Sequence, residues 1–237
     1  MRYIGSKNRL AKYLLPIIQP YVDAKGYYLE PFVGGGNFID KIKCDNKFGS
    51  DNNKYLIALL KQTQIDTSVF PFEITEEEYQ KVRQNKNDYE DWYVGLVGFC
   101  SSFGSKFFGG YARSSKSRNE SNESIRNLIK QSENLKNIQF NCCDYNEINQ
   151  NIKDFVIYCD PPYKSTIKYK KGCSVNYEEF YDWCVKMSKN NIVFISEYDM
   201  PLDKFECIWQ KDITITIDSN REQGSIRTEK LFKVKNT

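Results

Sequence analysis

The chain has 237 residues, a formal net charge of +3, eight cysteines and no histidine. This length is enough for one sizeable α/β core. No apolar run approaches the roughly 20 residues that cross a bilayer, so we expect a cytoplasmic protein. The absence of histidine excludes Ser–His and Cys–His nucleophilic catalysis, and because no C-x-x-C pair is present either, we expect reduced thiols and no metal site.

The first predicted element is a helix over residues 7–21, preceded by a loop. Ser6 suits its N-cap, and Pro16 is expected to kink or split it. Lys7 follows the cap and can either present its cation to a ligand carboxylate or remain a solvated surface lysine.

A buried strand is predicted over Tyr27–Glu30, followed by a glycine turn, Gly34–Gly36, and a helix over Asn37–Ile42. Glycines let the backbone approach a ligand closely because no Cβ intervenes. The turn matches the first two glycines of the dinucleotide fingerprint, but Ile39 occupies the third position. The pattern therefore argues against NAD as the ligand.

The second predicted strand, Lys47–Asp51, ends in a carboxylate. An acidic residue at the tip of a second strand can accept hydrogen bonds from both hydroxyls of a ribose. Asp51 can equally serve as the N-cap of a helix over Asn52–Lys61, and the local sequence does not decide between the two.

The α/β alternation lapses over residues 63–136, which form a candidate insertion. Two helices are predicted there, one starting after Thr75 and one over Asp91–Phe99. A loop over residues 101–118 then combines glycines with basic and aromatic residues and contains no acid. Such a loop can follow phosphates and insert an aromatic ring into a base stack, or it can be a solvated surface.

Another predicted strand, Ile138–Cys142, is followed by Asp144, which can accept hydrogen bonds from a ligand amine or serve as a turn residue. The apolar run Phe155–Cys159 predicts a buried strand that delivers Asp160 to its carboxyl end, where ligands bind in open α/β sheets. Two prolines after Asp160 make a stiff corner that is expected to project Tyr163 as a flat surface. A carboxylate, a carbonyl and an aromatic face can together hold a planar amine-bearing ring.

The last predicted elements are a helix over Tyr177–Ser188 and strands over Asn191–Ser196, Ile208–Ile217 and Lys230–Val234. Together with the earlier strands, they predict an α/β sheet that is mostly parallel with an antiparallel late strand.

Five segments in this order resemble the amino-group DNA methyltransferases that carry Asp-Pro-Pro-Tyr, most closely the Dam-type adenine methylases of bacteria and their phages. The segments are Arg2–Lys7, Glu30–Gly36, Ser50–Asn53, Cys143–Tyr145 and Asp160–Tyr163. The resemblance implies a Rossmann-like, S-adenosylmethionine-dependent methyltransferase sheet. It also implies a catalytic domain of residues 1–62 and 137–237, with residues 63–136 inserted as a mainly helical target-recognition subdomain.

The implied reaction is methyl transfer from S-adenosylmethionine to the N6 amine of an adenine flipped out of double-stranded DNA. Asp160 and the Pro161 carbonyl would accept the amine hydrogens beside Pro162, and Tyr163 would stack on the base. Tyr3 and Lys7 would hold the methionine end of the cofactor, Asp51 the ribose, and Asp144 with Tyr145 the adenine. The full implied cofactor set is Tyr3, Lys7, Glu30, Phe32, Gly34, Gly35, Gly36, Asp51, Asn52, Asp144 and Tyr145.

The resemblance also implies contacts to DNA by basic and aromatic residues of two loops. These residues are Lys106, Phe107, Tyr111, Arg113, Lys116, Arg118, Lys164 and Lys168. A monomer is favoured, and a role in restriction–modification beside a nuclease and a solitary role both stay open.

Three rival functions use the same residues differently. A cytosine-N4 DNA methyltransferase would use Asp160 and the Pro161 carbonyl to accept the hydrogens of its target amine, as an adenine-N6 enzyme would. A protein-glutamine methyltransferase would typically carry Asn in place of Asp160. Outside this class, a DNA-binding module without catalysis would explain the basic loops but leave Asp160–Tyr163 without a role.

Overall fold

The computed structural model describes residues 1–113, 119–163, 175–215 and 225–235. Its sheet has the strand order β3-β2-β1-β4-β5-β7-β6, in which β7 runs antiparallel to both neighbours and the other pairs are parallel. The predicted α/β class with an antiparallel late strand is confirmed. The strands are β1 Tyr27–Glu30, β2 Asn46–Asp51, β3 Ile138–Cys142, β4 Val156–Cys159, β5 Ile192–Glu197, β6 Phe205–Ile215 and β7 Ser225–Val234.

Side-chain caps begin most of the helices. The side-chain oxygens of Asn53, Thr75, Asn119 and Asn176 accept hydrogen bonds from backbone N–H groups of the first turns that follow. Such caps satisfy donors that have no partner within the helix. The helices are α1 Ala11–Lys25, α2 Lys54–Ile65, α3 Glu76–Gln84, α4 Asp91–Cys100, α5 Glu120–Leu135 and α6 Tyr177–Ser188.

Two helices differ from their predicted extent. The helix predicted over residues 7–21 is α1, Ala11–Lys25; Pro16 does not split it, and Pro20 also lies inside it. Burial of Leu14 and Ile18 in the core supplies packing that offsets the hydrogen bonds lost at the prolines. The helix predicted over Asn37–Ile42 is only a 3-10 turn, Ile39–Lys41, because β2 begins at Asn46 and leaves no length for a full helix.

The late strands are longer than the sequence predicted, since β6 begins at Phe205 and β7 at Ser225. The prediction for β7, Lys230–Val234, followed only its apolar end. Pairing with β6 continues through the more polar positions before it, among them Glu229 opposite Lys211 and Thr228 opposite Asp212.

Residues 63–136 share a core with the sheet. Helices α4 and α5 pack on α2, and one hydrophobic cluster contains Leu14 and Tyr28 together with Val82, Val97 and Leu128. The boundaries of the insertion stay a prediction. Because the core is shared, a substitution in residues 63–136 can disturb the packing of side chains against the sheet.

The carboxyl ends of the central strands meet at one edge. Glu30 of β1 lies opposite Gly49 of β2, and Cys159, which precedes Asp160, lies opposite Ile195 of β5. Because these strands are parallel, the loops after β1, β2 and β4 emerge on the same side of the sheet.

Candidate active site

Asp160 follows β4 at this edge and forms an ion pair with Lys7. The distance from Lys7 Nζ to Asp160 Oδ1 is 2.8 Å, and the lysine side chain is only 7% exposed. Ser6 caps the short 3-10 turn Lys7–Arg9 and so fixes the backbone at Lys7. Lys7 was predicted to hold the methionine end of a cofactor, but in this structure it lies against Asp160.

The ion pair sets the charges of both groups. Burial raises the pKa of Asp160 above its ordinary value, while the charge of Lys7 opposes that shift. Burial alone would lower the pKa of Lys7, but the carboxylates of Asp160 and Glu229 outweigh it and leave that pKa raised. The lysine therefore stays charged at neutral pH.

Glu229 of β7 forms a cluster with Lys7 and Asp160 and was not among the residues predicted from the sequence. Its Oε2 accepts a hydrogen bond from the Tyr163 hydroxyl at 2.6 Å and lies 3.9 Å from Lys7 Nζ. Lys7 Nζ also lies 4.5 Å from the centre of the Tyr163 ring. The available signal was an acid two positions before the buried Leu231, hence on the same face of its strand.

Tyr163 does not stand forward as the exposed flat surface that the sequence predicted. It is 8% exposed, and its ring contacts Tyr198 edge-on with 4.4 Å between centroids. Its hydroxyl bond to Glu229 draws the ring toward β7. Stacking of Tyr163 on a base stays a prediction.

The proline corner is held from the other side by Tyr177. The Tyr177 hydroxyl lies within hydrogen-bonding distance of the Pro162 carbonyl and 3.0 Å from Glu197 Oε2. Tyr177 begins α6, and Glu197 ends β5. The Asp160–Tyr163 segment is thereby fixed to a helix and two strands.

Asp51 ends β2 and is held by backbone donors. Its two oxygens accept hydrogen bonds from Gly34 N at 3.3 Å and Asn53 N at 3.0 Å. Burial raises the pKa of Asp51 above its ordinary value. The alternative in which Asp51 caps the following helix is wrong, because Asn53 caps α2. Asp51 instead joins the second strand to the glycine turn.

Asn52 and Asp144 face each other beside Asp51. Asn52 Nδ2 lies 3.4 Å from Asp144 Oδ2, and Asp144 also caps the 3-10 turn Tyr145–Glu147. Tyr145 is buried and packs on Phe32 with 5.5 Å between ring centroids. Five of the predicted cofactor residues, Phe32, Asp51, Asn52, Asp144 and Tyr145, thus lie in this region, while their contacts to an adenine stay a prediction.

The glycine turn packs tightly on Tyr3 and on α5. A Cβ added to Gly35 would lie 2.8 Å from both the Tyr3 Cβ and Asn37 Nδ2. From the other side, Gln131 Nε2 lies 3.2 Å from the Gly35 carbonyl oxygen and 3.1 Å from that of Gly36. Asn37 Nδ2 is buried and has no acceptor in the described part of the chain, so it can serve a ligand carboxylate.

Glu30 has a structural partner. Its Oε1 accepts a hydrogen bond from the Tyr28 hydroxyl at 2.7 Å, and both side chains are buried. Burial raises the pKa of Glu30 well above its usual range, which favours the neutral acid.

The packing around Gly35 makes a prediction. We expect Gly35→Ala to weaken binding of S-adenosylmethionine at least about tenfold, because the new methyl group must displace Tyr3 or the turn. Isothermal titration calorimetry measures this affinity. The matched control is Gly26→Ala at the end of α1, where the residue has a φ of +76° and no atom near its Cβ position. That control should lower the melting temperature and leave cofactor affinity unchanged; equal affinities in both variants would contradict the predicted role of the turn.

The predicted DNA contacts divide into three groups. Lys106 is exposed, and Arg113 is exposed but paired with Glu76 at 2.8 Å. Phe107 and Tyr111 were expected to face DNA, yet they pack inside the lobe: the Phe107 ring lies 4.9 Å from that of Phe99, and the Tyr111 hydroxyl donates to the Ile74 carbonyl. Lys116, Arg118, Lys164 and Lys168 lie outside the described residues.

Phe103 is the aromatic residue of this loop that does face solvent. It is 67% exposed and lies in a turn closed by the isolated bridge between Ser102 and Tyr111. Spacing alone could not separate it from Phe107, because both are phenylalanines between glycines.

The described residues contain neither a cluster of metal ligands nor a helix that could span a membrane. Nowhere in residues 1–113, 119–163, 175–215 and 225–235 do three or more acidic or cysteine side chains cluster as metal ligands would. The helices in these same ranges are all too short or too polar to cross a membrane.

No curated protein sequence matches the chain. SMU.472, a proposed methyltransferase whose crystal structure contains SAH, matches with a TM-score of 0.40 and 11% identity over 100% of this chain and 54% of its own. A proposed methyltransferase from Thermoplasma acidophilum matches with a TM-score of 0.33 and 9% identity over 89% of this chain and 68% of its own. The chain therefore spans about half the length of the first of these structures.

Most of the sequence also matches a protein family. Residues 3–183 match the D12 class N6 adenine-specific DNA methyltransferases. This range includes Lys7, the glycine turn, Asp51 and Asp160–Tyr163, which the structure brings to one edge of the sheet. The chain belongs to the D12 class N6 adenine-specific DNA methyltransferase family.

Proposed function

We propose that this chain transfers the methyl group of S-adenosylmethionine to the N6 amine of adenine in double-stranded DNA. The observation that carries the proposal is the position of Asp160. Its carboxylate follows β4 at the sheet edge that also carries the glycine turn and Asp51, so one crevice can hold a methyl donor beside an amine acceptor. Family membership supports adenine as the base.

The glycine turn and its neighbours form the proposed cofactor site. Asp51 presents a carboxylate to the ribose, Tyr3 packs on the turn, and the Asn37 amide can donate to the cofactor carboxylate. Bound S-adenosylmethionine supplies an electrophilic methyl group on a sulfonium. The chain has no histidine to take a proton, so its residues must act by orientation and charge.

Asp160 and the Pro161 carbonyl form the proposed acceptor site. They accept the two hydrogens of the adenine amine and turn its lone pair toward the methyl group. Formation of the N–C bond would break the methyl–sulfur bond of the donor, and the methylated nitrogen would then release one proton to solvent. The target base must leave the duplex, since its amine is otherwise engaged in base pairing. The charge of Lys7, 2.8 Å from Asp160 Oδ1, favours the ionised carboxylate and so opposes the effect of burial, which raises the pKa of Asp160.

The lobe formed by residues 63–136 is the proposed DNA-recognition region. Lys106 and Phe103 are both exposed in the same loop, and Lys106 places positive charge on its surface; Arg113 is also exposed but pairs with Glu76. Cations there can contact phosphates, and an exposed aromatic ring can enter the base stack where a base has left it.

Exposure of Phe103 makes a prediction. We expect Phe103→Ala to raise KM for DNA about tenfold, because base–aromatic stacking is worth about 1–3 kcal/mol. The measurement is initial methylation rate against DNA concentration. Phe72→Ala, which truncates an 84% exposed phenylalanine outside the loop, should leave KM unchanged. Equal KM values for wild type and Phe103→Ala would remove this residue from the interface.

Incubation of DNA with S-adenosylmethionine carrying a tritiated methyl group tests the proposal. We expect tritium in the DNA fraction with wild-type protein. A DNA-binding module without catalysis would retard DNA in a gel and transfer no label. Monomeric state, cytoplasmic location and a partnership with a restriction nuclease stay predictions.

A further inference from the structure

We propose that Glu229 is a positioning residue of the methyl-acceptor site: it anchors Tyr163 and gives Lys7 a second carboxylate, which leaves Asp160 available to the target amine. The proposal rests on the proposed function. Glu229 lies in β7, beyond residues 3–183 that match the family.

The contacts of Glu229 are short and buried. Its carboxylate is 6% exposed, accepts the Tyr163 hydroxyl at 2.6 Å and lies 3.9 Å from Lys7 Nζ. A buried carboxylate must be paired or hydrogen-bonded to remain charged, and these two partners meet that need. Both partners touch the acceptor site, one through Asp160 and the other within the Asp160–Tyr163 segment.

Lys7 would otherwise compete with the substrate. It binds Asp160 Oδ1 at 2.8 Å, and the target amine needs the same carboxylate. An isolated buried ion pair is strong in a low dielectric, so a lysine with one carboxylate would hold Asp160 tightly. A second carboxylate, that of Glu229, lies 3.9 Å from Lys7 Nζ and also attracts the ammonium group. Less free energy is then needed for Asp160 to bind the target amine in place of Lys7.

The sheet makes Glu229 a rigid anchor. β7 pairs along its length with β6, where Glu229 lies opposite Lys211, and the next four residues, Lys230–Lys233, also pair with β5. A side chain fixed by paired strands holds its partners more firmly than one on a loop. Tyr163, which directly follows the proline corner, is thereby tied to a different part of the sheet from Asp160.

The charge of Glu229 also bears on titration of the site. The groups facing Asp160 from the described elements are Lys7, Glu229, Glu30 and the tyrosines Tyr158, Tyr163 and Tyr177, while Tyr198 faces Lys7. The charge of Glu229 raises the pKa of Asp160, and that of Lys7 lowers it. Removal of the negative charge at Glu229 should therefore lower the pKa of Asp160 and strengthen its pairing with Lys7.

Glu229→Gln tests the proposal in the full-length chain. We expect kcat to fall about tenfold or more because Lys7 then holds Asp160 tightly, while the dissociation constant for S-adenosylmethionine changes by less than about twofold. The acid limb of the kcat–pH profile should move to lower pH. Glu229→Asp keeps the charge and should return the acid limb to its wild-type position with part of kcat.

Two further variants separate charge from simple packing. Glu197→Gln removes another buried carboxylate that accepts a tyrosine hydroxyl, and its acid limb should stay in place. Tyr163→Phe keeps the ring and tests the anchor even where Glu229→Gln fails to fold; we expect a several-fold loss of kcat with cofactor affinity unchanged.

Wild-type kcat and an unmoved acid limb in Glu229→Gln would overturn the proposal, as would wild-type kcat in Tyr163→Phe. The proposal would also be overturned if Glu229→Asp lost as much kcat as Glu229→Gln and the acid limb stayed in place in both variants. Glu229 would then contribute packing alone. Absence of transfer by the wild-type chain would instead overturn the proposed function.

Discussion

Replacement of Asp160 by alanine is expected to abolish methyl transfer, with kcat falling by at least about 1,000-fold. The carboxylate is the group that orients the target amine in the proposed reaction, and the chain has no histidine that could replace it. Cofactor affinity should remain close to wild type, because the described contacts of Asp160 run to Lys7 and not to the glycine turn or Asp51. Rate measurements at saturating DNA and cofactor, beside calorimetric titration of the cofactor, check both parts.

The same substitution leaves Lys7 buried without its nearest carboxylate. Breaking a buried ion pair in this way costs about 3–5 kcal/mol of unfolding free energy. We therefore expect Lys7→Met to restore stability in the Asp160→Ala background without restoring transfer. This pair of variants separates loss of fold from loss of chemistry. Wild-type turnover in a folded Asp160→Ala protein would exclude Asp160 from the reaction.

Replacement of Asp51 by alanine should weaken S-adenosylmethionine binding about 30- to 100-fold. The reason is the loss of a charged acceptor for the ribose hydroxyls, since hydrogen bonds to charged groups are worth about 1.5–3 kcal/mol. Asp51 also joins the glycine turn to α2 through Gly34 N and Asn53 N, so the turn loses an anchor as well. Isothermal titration calorimetry gives the affinity directly.

Asn53→Ala is the matched control for Asp51. It removes the cap of α2 and should lower the unfolding free energy by about 0.5–2 kcal/mol. It leaves the Asp51 carboxylate in place, so cofactor affinity should change little. Unchanged affinity in Asp51→Ala, or an equal loss in Asn53→Ala, would remove Asp51 from the ribose site.

Local sequence predicted β4 well because Val156–Cys159 is a short apolar run that ends before two prolines. It predicted the edge strand β3, Ile138–Cys142, because apolar and polar residues alternate along it. The carboxyl ends of these strands also located Asp160 and Asp144. The outer strands β6 and β7 were predicted too short because their pairing continues through charged residues. An amphipathic edge pair carries no apolar run to mark its start.

Side-chain direction explains most of the errors at the site. Phe103, Phe107 and Tyr111 lie within nine positions of one another, and only the folded lobe decides which of them packs inward. Lys7 and Glu229 are 222 positions apart and meet because β7 runs beside β5 in the sheet. Contacts of such long range depend on strand order, which no local pattern encodes.

Nucleoside analysis of DNA incubated with the chain and S-adenosylmethionine tests adenine-N6 transfer most directly. After digestion to nucleosides, wild-type protein should yield N6-methyladenine, and the folded Asp160→Ala variant should yield none. N4-methylcytosine as the product, or no methylated nucleoside from a wild-type chain that binds both cofactor and DNA, would contradict the proposed function.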